Sequence, residues 1–358
     1  MLQLARGLAA RGCELLLACP PPPAGAGRSL AEEAAAAGLP PALQLSRARG
    51  ARPLRDRGEV RCLRQLLAER RVELVHTWHT RDHLLALRAL MRPGARRRPA
   101  LVRSLPVAQA LARTPWNRWL FGPGTDGLLC VSPETARRNS RLRGGRPILG
   151  SFGAVDLLRF RPQPPDPGVR ARLGLCPEHR VVGIVARIQP RRRFDLLLEA
   201  GRRLFRADPA ARLLVVGRGT RRRELAEEPA RRLGIADRVC FAGYRVEDYA
   251  DVLRAMDLFT FLVPGSDGTC RALLEAMACG LPAVTTQRGA LGEIVAGDRT
   301  GLLVEEEPGA LAAAWQALLS DARRRASFGA AARARAEHCF APEQLAEQVL
   351  GLYAQVLE

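Results

Sequence analysis

The sequence predicts an α/β protein of two doubly wound, parallel-sheet domains, and three observations lead there. Short apolar runs of strand length alternate with helix-period segments along the chain, the pattern of parallel sheets covered on both faces. At 358 residues the chain exceeds one ordinary hydrophobic core, and domains of about 150–180 residues are the natural division. Between its halves, FRPQPPDPG (160–168) carries four prolines and no hydrophobic period, as a linker does.

In chain order, MLQLARGLAARG (1–12) reads as a helix with Leu2, Leu4, Ala5, Leu8 and Ala9 on one face and a stop at Gly12. CELLLACP (13–20) follows as a short buried strand and PPPAGAG (21–27) as a loop. EVRCLRQLLAERR (59–71) is a helix leading into the strand VELVHTW (72–78), and PALVRSL (99–105), GLLCVS (127–132) and RPILGSF (146–152) are further strands. A second series comprises RVVGIVARI (180–188), ARLLVVGRG (211–219), RVCFAG (238–243), LFTFLVP (258–264), PAVTT (282–286) and GLLVEE (301–306). The expected division is an N-terminal domain over 1–162, a C-terminal domain over 163–340, and a last helix over 341–358 that returns to the N-terminal domain. Ligands of parallel sheets bind beyond the carboxyl ends of the strands, so two facing domains would hold the active site in the cleft between them. Because the first helix precedes the first strand, an opening strand and its loop are expected to be absent from the N-terminal domain.

All 56 basic residues are arginine, and the formal charge is +20. Residues 1–165 hold 28 Arg against 11 acids, a net +17, whereas residues 166–358 hold 28 against 25, a net +3. Such a field favours anionic partners such as phospholipid surfaces, phosphorylated lipids or acidic sugars; a solvated, arginine-coded surface is the alternative. Nucleic acid is not expected, because no aromatic-interleaved basic platform accompanies the charge. No apolar run reaches the roughly 18–20 residues of a membrane span, and no secretion signal opens the chain. Nine scattered cysteines without CxxC spacing read as reduced thiols. A cytoplasmic protein, peripheral at the inner membrane surface, is the resulting expectation.

Four strand-to-helix turns in the second half could carry chemistry. Arg187 and Arg192 lie five apart across the first, where two guanidiniums could clamp a diphosphate or form part of a solvated arginine run. Gly217, Arg218 and Gly219 form the second, and Gly243 with Tyr244 the third, each weak alone. The fourth, SDGTCRALLEAMACGLP (266–282), places Asp267 and Gly268 before a helix from about Arg271 to Cys279. The amides and dipole of a helix start suit a phosphate or sugar oxyanion. Asp267 could equally cap the helix, and Glu275 could hold a sugar hydroxyl or face solvent. In the first half, His76, His79 and His83 invite a metal reading, but strand-end packing or an acceptor-side role is favoured over it.

With these residues in view, the chain resembles the retaining family-four (group 1) glycosyltransferases, whose fold is two Rossmann-like domains facing across a cleft, the GT-B type. The resemblance is strongest over residues 180–304. It rests on Ala186, Arg187 and Ile188 with Arg192 and Arg193; on Asp267 and Glu275 followed by AMACGLP (276–282); and on Gly289, Ala290, Leu291, Gly292 and Glu293. GSFGAVDLLRFRP (150–162), LLCVSPETARR (128–138) and LARGLAARGCELLLACP (4–20) resemble further family segments. The chain differs in having Asp267 for Glu, Arg192 for Lys, Arg193 for Gly and Thr269 with Cys270 for Phe-Gly. It lacks the family's His near Leu105, for which His79 is the substitute.

The resemblance implies a metal-independent transfer from a nucleoside-diphosphate sugar, without cofactor, to a glycan, lipid-linked or cell-envelope acceptor. It implies Arg187, Arg192, Asp267 and His79 at the catalytic centre. Around the donor it implies Gly217, Tyr244, Arg245, Gly268, Thr269, Cys270, Arg271, Leu274, Glu275 and Gly289. The differences leave open a catalytically degenerate nucleotide-sugar or anionic-surface binder on the same fold.

Overall fold

The computed structural model describes residues 1–21, 29–46, 53–91, 98–264 and 270–358. They form two compact units, Met1–Ser151 with Pro342–Glu358, and Phe152–Ala341. Residues 152–162, assigned above to the first domain, pack with the second unit. Val155 N donates to Phe340 O at 2.9 Å, and Val155 and Phe160 are buried in that unit's core. The Pro-rich stretch therefore lies within the second unit, where Asp166 caps the helix Pro167–Arg172 through the Gly168 amide.

In the first unit, strands β1 (Leu17–Cys19) and β2 (Pro41–Gln44) pair in parallel as a separate two-stranded sheet. Strands β3 (Leu74–Thr77), β4 (Ala100–Leu105), β5 (Gly127–Cys130) and β6 (Ile148–Gly150) form a parallel sheet in sequence order. Neither β2 nor the helix before it, Leu30–Ala36, was read from the sequence. The strand is short and only half-buried, so it shows no clear period. The helix does carry a legible signal, a capping box in which Ser29 and Glu32 each accept from the other's backbone amide.

Alternate residues of β4 and β5 face opposite cores. Leu101, Leu105 and Leu128 pack with Leu85 and Leu90 of the helix Thr80–Leu90. Val102 and Leu129 pack with Leu4 and Leu8 of the helix Leu2–Ala9 and with Ala346, Val349 and Leu352 of the helix Pro342–Leu357. Those two terminal helices approach closely at Gly7, where a Cβ would lie 2.8 Å from the Ala346 Cβ.

The second unit holds six parallel strands: β7 (Arg180–Val185), β8 (Ala211–Val216), β9 (Val239–Gly243), β10 (Leu258–Phe261), β11 (Ala283–Thr285) and β12 (Gly301–Leu303). Their order is β12-β11-β10-β7-β8-β9. From β7 the chain proceeds outward through β8 and β9, then returns to β10 on the other side of β7 and proceeds outward through β11 and β12. The topological switch point thus falls between β7 and β10. Val181, Leu214 and Phe259 face one core, and Val182, Leu213 and Leu258 the other, as expected of a sheet covered on both faces. No helix among the described residues is long and apolar enough to cross a membrane.

Candidate functional site at the switch point of the second sheet

Strands β7 and β10 are hydrogen-bonded neighbours, with Phe259 opposite Gly183, so their carboxyl ends open side by side. Two residues beyond β7, Arg187 is exposed and makes no hydrogen bond or ion pair among the described residues. Arg192 behaves differently. It is 8% exposed, and its Nη1 donates to the carbonyls of Val263 and Pro264, each at 2.7 Å. It fastens the turn after β7 to the turn after β10, which corrects the picture of two equivalent guanidiniums reaching for a diphosphate. Arg193 has φ 57, left-handed backbone that a glycine adopts without strain. Its guanidinium meets Glu306 at 2.8 Å, and Arg288 also pairs with that carboxylate and holds it below the usual carboxylate range.

The turn after β8 is laced to its neighbours. Gly217 N donates to Gly243 O at 2.8 Å, and Ile188 N to Arg218 O at 3.1 Å. A Cβ on Gly217 would stand 2.0 Å from the Ala186 carbonyl oxygen, and its φ is 145. Close approach of two strand ends therefore explains this glycine directly. Tyr244 is 63% exposed, with the Arg218 guanidinium 4.7 Å over its ring, leaving a flat surface at the end of β9. Arg245 bonds to Ala242 O and Asp248, so it serves its own turn. Gly289, φ 58, sits exposed in the turn after β11.

Asp267, Gly268 and Thr269 lie outside the described residues. Beyond them, the buried Cys270 adopts left-handed backbone at the N-cap of the helix Arg271–Ala278. Glu275, one turn in, is only 6% exposed, which overturns the solvent-facing alternative. The Tyr249 hydroxyl donates to its Oε2 at 2.9 Å, and Arg271 Nε lies 3.3 Å from its Oε1. Burial, then the adjacent carboxylate, pushes the Tyr249 hydroxyl well above its ordinary value, so it stays a donor. Leu274 is fully buried in the core and offers no surface to a ligand, because its side of the helix packs on the sheet. Tyr249 escaped the sequence reading: no motif marks it, and it acquires its partner only through the fold.

In the first unit, His76 shares hydrogens with Tyr353 Oη (2.6 Å) and Ser104 Oγ (2.8 Å) and stacks on Trp78. His83 lies between the hydroxyls of Thr77 and Thr125, each at 3.0 Å. Burial pushes them down to about 3 and about 4, respectively. All four ring nitrogens are engaged in packing contacts. His79 is exposed at the N-cap of the helix Thr80–Leu90 and makes no capping bond.

Comparison with known proteins agrees with this architecture. Residues 1–148 match the model described as Glycosyltransferase Family 4, and residues 179–321 match that described as Glycosyl transferases group 1. The chain is 30% identical over 330 residues to the lipopolysaccharide core biosynthesis mannosyltransferase LpsB of Rhizobium meliloti, covering 89% of this chain and 87% of that protein. It is 37% identical over 294 residues to the D-inositol 3-phosphate glycosyltransferase of Rhodococcus opacus, covering 79% and 62%. The chain thus spans about three-fifths of the length of these curated inositol-phosphate relatives. Among solved structures, a glycosyltransferase from Rickettsia africae superposes with a TM-score of 0.82 at 16% identity, over 100% of this chain and 94% of that one. Anabaena HepE, in complex with UDP and glucose, superposes with 0.76 at 19% identity, over 99% and 94%.

Proposed function

The chain belongs to the family-four, group 1 glycosyltransferases, and from that premise we propose that it transfers a sugar from a nucleoside-diphosphate sugar to a glycan, lipid-linked or cell-envelope acceptor. The transfer retains the anomeric configuration and uses neither metal nor cofactor. The observation that carries the reading is Arg187, an uncommitted guanidinium at the carboxyl end of β7, beside the switch point where α/β sheets bind ligands.

As the bond from the anomeric carbon to the diphosphate breaks, negative charge gathers on the leaving oxygens. Arg187 meets that charge, together with the positive end of the helix Arg271–Ala278. A contact that strengthens as charge develops accelerates the step rather than only tightening binding. Arg192 acts as a positioning residue that holds the turn after β10. Glu275, its carboxylate held by Tyr249, takes the ribose hydroxyls, and Tyr244 offers a face to the base. Asp267 orients sugar hydroxyls, Gly289 admits the donor closely, and His79 stands on the acceptor side.

UDP and glucose in HepE support a nucleoside-diphosphate hexose as donor. The activities named for the inositol-phosphate and lipopolysaccharide relatives support a phosphorylated or envelope acceptor. The net +17 of residues 1–165 and the exposed pair Trp116 and Trp119 support contact with an anionic membrane surface.

Screening nucleoside-diphosphate sugars by thermal shift tests the reading, because a ligand held by the native state raises its stability. The anomeric configuration of the product then reports retention. No stabilisation by any donor would sink the proposal. A second reading, a non-catalytic nucleotide-sugar or anionic-surface binder, is favoured by the commitment of Arg192 to carbonyls. Slow hydrolysis of labelled donor without acceptor marks an enzyme; binding without hydrolysis marks the binder.

A further inference from the structure

Among the described residues of the first unit, two arginines are almost wholly enclosed, and the fold treats them differently. Arg143 is 1% exposed, and its two Nη atoms donate to four carbonyls: those of Phe121, Thr125, Asp126 and Pro147. It is a structural cross-link between turns.

Arg103, on β4, is 4% exposed, yet among the described residues its Nη2 reaches only the Thr80 hydroxyl at 3.5 Å, and its buried Nη1 has no hydrogen-bond partner. Leaving a buried charged donor unmatched is costly, and native proteins rarely do so without a ligand or a function in view. Thr80 is the first residue of the eleven-residue helix Thr80–Leu90, whose cap residue His79 makes no side-chain bond to the opening amides. Those amides and the positive end of the helix dipole favour negative charge, and the Arg103 guanidinium meets the helix at its first residue, Thr80. The neighbouring His76 and His83 are neutral. Asp82, in the first helical turn, is the acid whose charge acts on Arg103, and it forms no ion pair with it among the described residues.

We propose that this edge of the first unit is a phosphate site, in which Arg103, the Thr80 hydroxyl and the first amides of the helix Thr80–Leu90 hold a phosphate monoester. As the phosphate of the acceptor, it rests on the function proposed above; as an anion site, it does not. Arg forks grip phosphate oxygens in two-point contacts, and the unmatched Nη1 supplies the second point. A soluble sugar phosphate and a lipid phosphate present the same group.

The test titrates the full chain, without donor, with inorganic phosphate, against sodium chloride at matched ionic strength, and reads the melting temperature. Phosphate is expected to raise it and chloride is not, and Arg187→Ala should retain the response. Arg103→Met should weaken phosphate binding at least tenfold, while melting no lower than wild type in its absence, because the unmatched group is gone. Thr80→Val, at an exposed position, should weaken binding several-fold, and it decides the matter if Arg103→Met does not fold. Glycerol 3-phosphate and phosphatidylcholine vesicles carrying phosphatidic acid then separate the soluble from the lipid source, and Arg103-dependent binding of either supports the site. No phosphate response beyond chloride, or wild-type phosphate affinity in the decisive variant, would overturn it. Because donor is absent throughout, failure here leaves the donor chemistry standing, and failure of the donor assays leaves this result standing.

Discussion

Acidification from pH 7 to pH 5 should weaken the first unit, and His83 sets the size of the effect. Its ring is enclosed among Phe121, Thr77 and Thr125, and burial, with a smaller contribution from the Arg103 charge, pushes it down to about 4. The Thr125 hydroxyl donates to Leu120 O at 2.6 Å, so Nε2 of His83 carries the hydrogen and Nδ1 accepts from Thr77. On protonation the Thr77 hydroxyl can turn to Val102 O at 3.2 Å. The cost is therefore desolvation and charge rather than a lost hydrogen bond.

With a folded value below the ordinary 6.5, the unfolded chain takes up the proton first as pH falls. Stability is full above about pH 6.5 and is lost progressively toward pH 4. Linkage with those two values gives a loss of about 2 kcal/mol between pH 7 and pH 5. His76, pushed down to about 3, acts in the same direction. Ordinary carboxylates titrate below this window, so they add little. Three of the four tryptophans, Trp78, Trp116 and Trp119, lie in the first unit, so urea unfolding followed by tryptophan emission at the two pH values reads the effect. A fall of less than about 1 kcal/mol, or an NMR titration of His83 near pH 6.5, would refute the reasoning.

Three substitutions test the second unit. Arg187→Ala should lower donor turnover about 100-fold or more, the scale of removing one preorganised charge-stabilising donor; near-wild-type rates would exclude its role. Tyr249→Phe removes a hydrogen bond to the buried Glu275 carboxylate and should weaken nucleotide-sugar binding roughly tenfold by calorimetry, as bonds to charged groups contribute about 1.5–3 kcal/mol. Unchanged affinity would separate Glu275 orientation from donor binding. Gly217→Ala drives a Cβ to 2.0 Å from the Ala186 oxygen and should destabilise by about 3 kcal/mol or more. Gly292→Ala, where a Cβ meets nothing within 4 Å, is the control and should melt at or slightly above wild type.

Much of this protein can be read from local pattern alone. Runs such as RVVGIVARI and ARLLVVGRG are apolar on both faces, which only a strand buried in a parallel sheet requires, and every strand of the second unit was legible for that reason. The strand-to-helix turns carrying Arg187 and Gly217 were legible too, because glycine and arginine at strand ends answer to local backbone geometry and charge. What local pattern does not contain is who meets whom. That Arg192 secures a second turn, that Tyr249 reaches Glu275 across 26 residues, and that Arg103 is buried with a donor unmatched all depend on strand order. β2 escaped notice because a four-residue, half-buried strand shows too little periodicity to announce itself. Hydrophobic period and turn chemistry act over a few residues, so sequence alone determined the fold class and most of the elements. Hydrogen-bond partnership and burial act across the packed sheet, so only the tertiary structure decided which charged side chains remain available to a ligand.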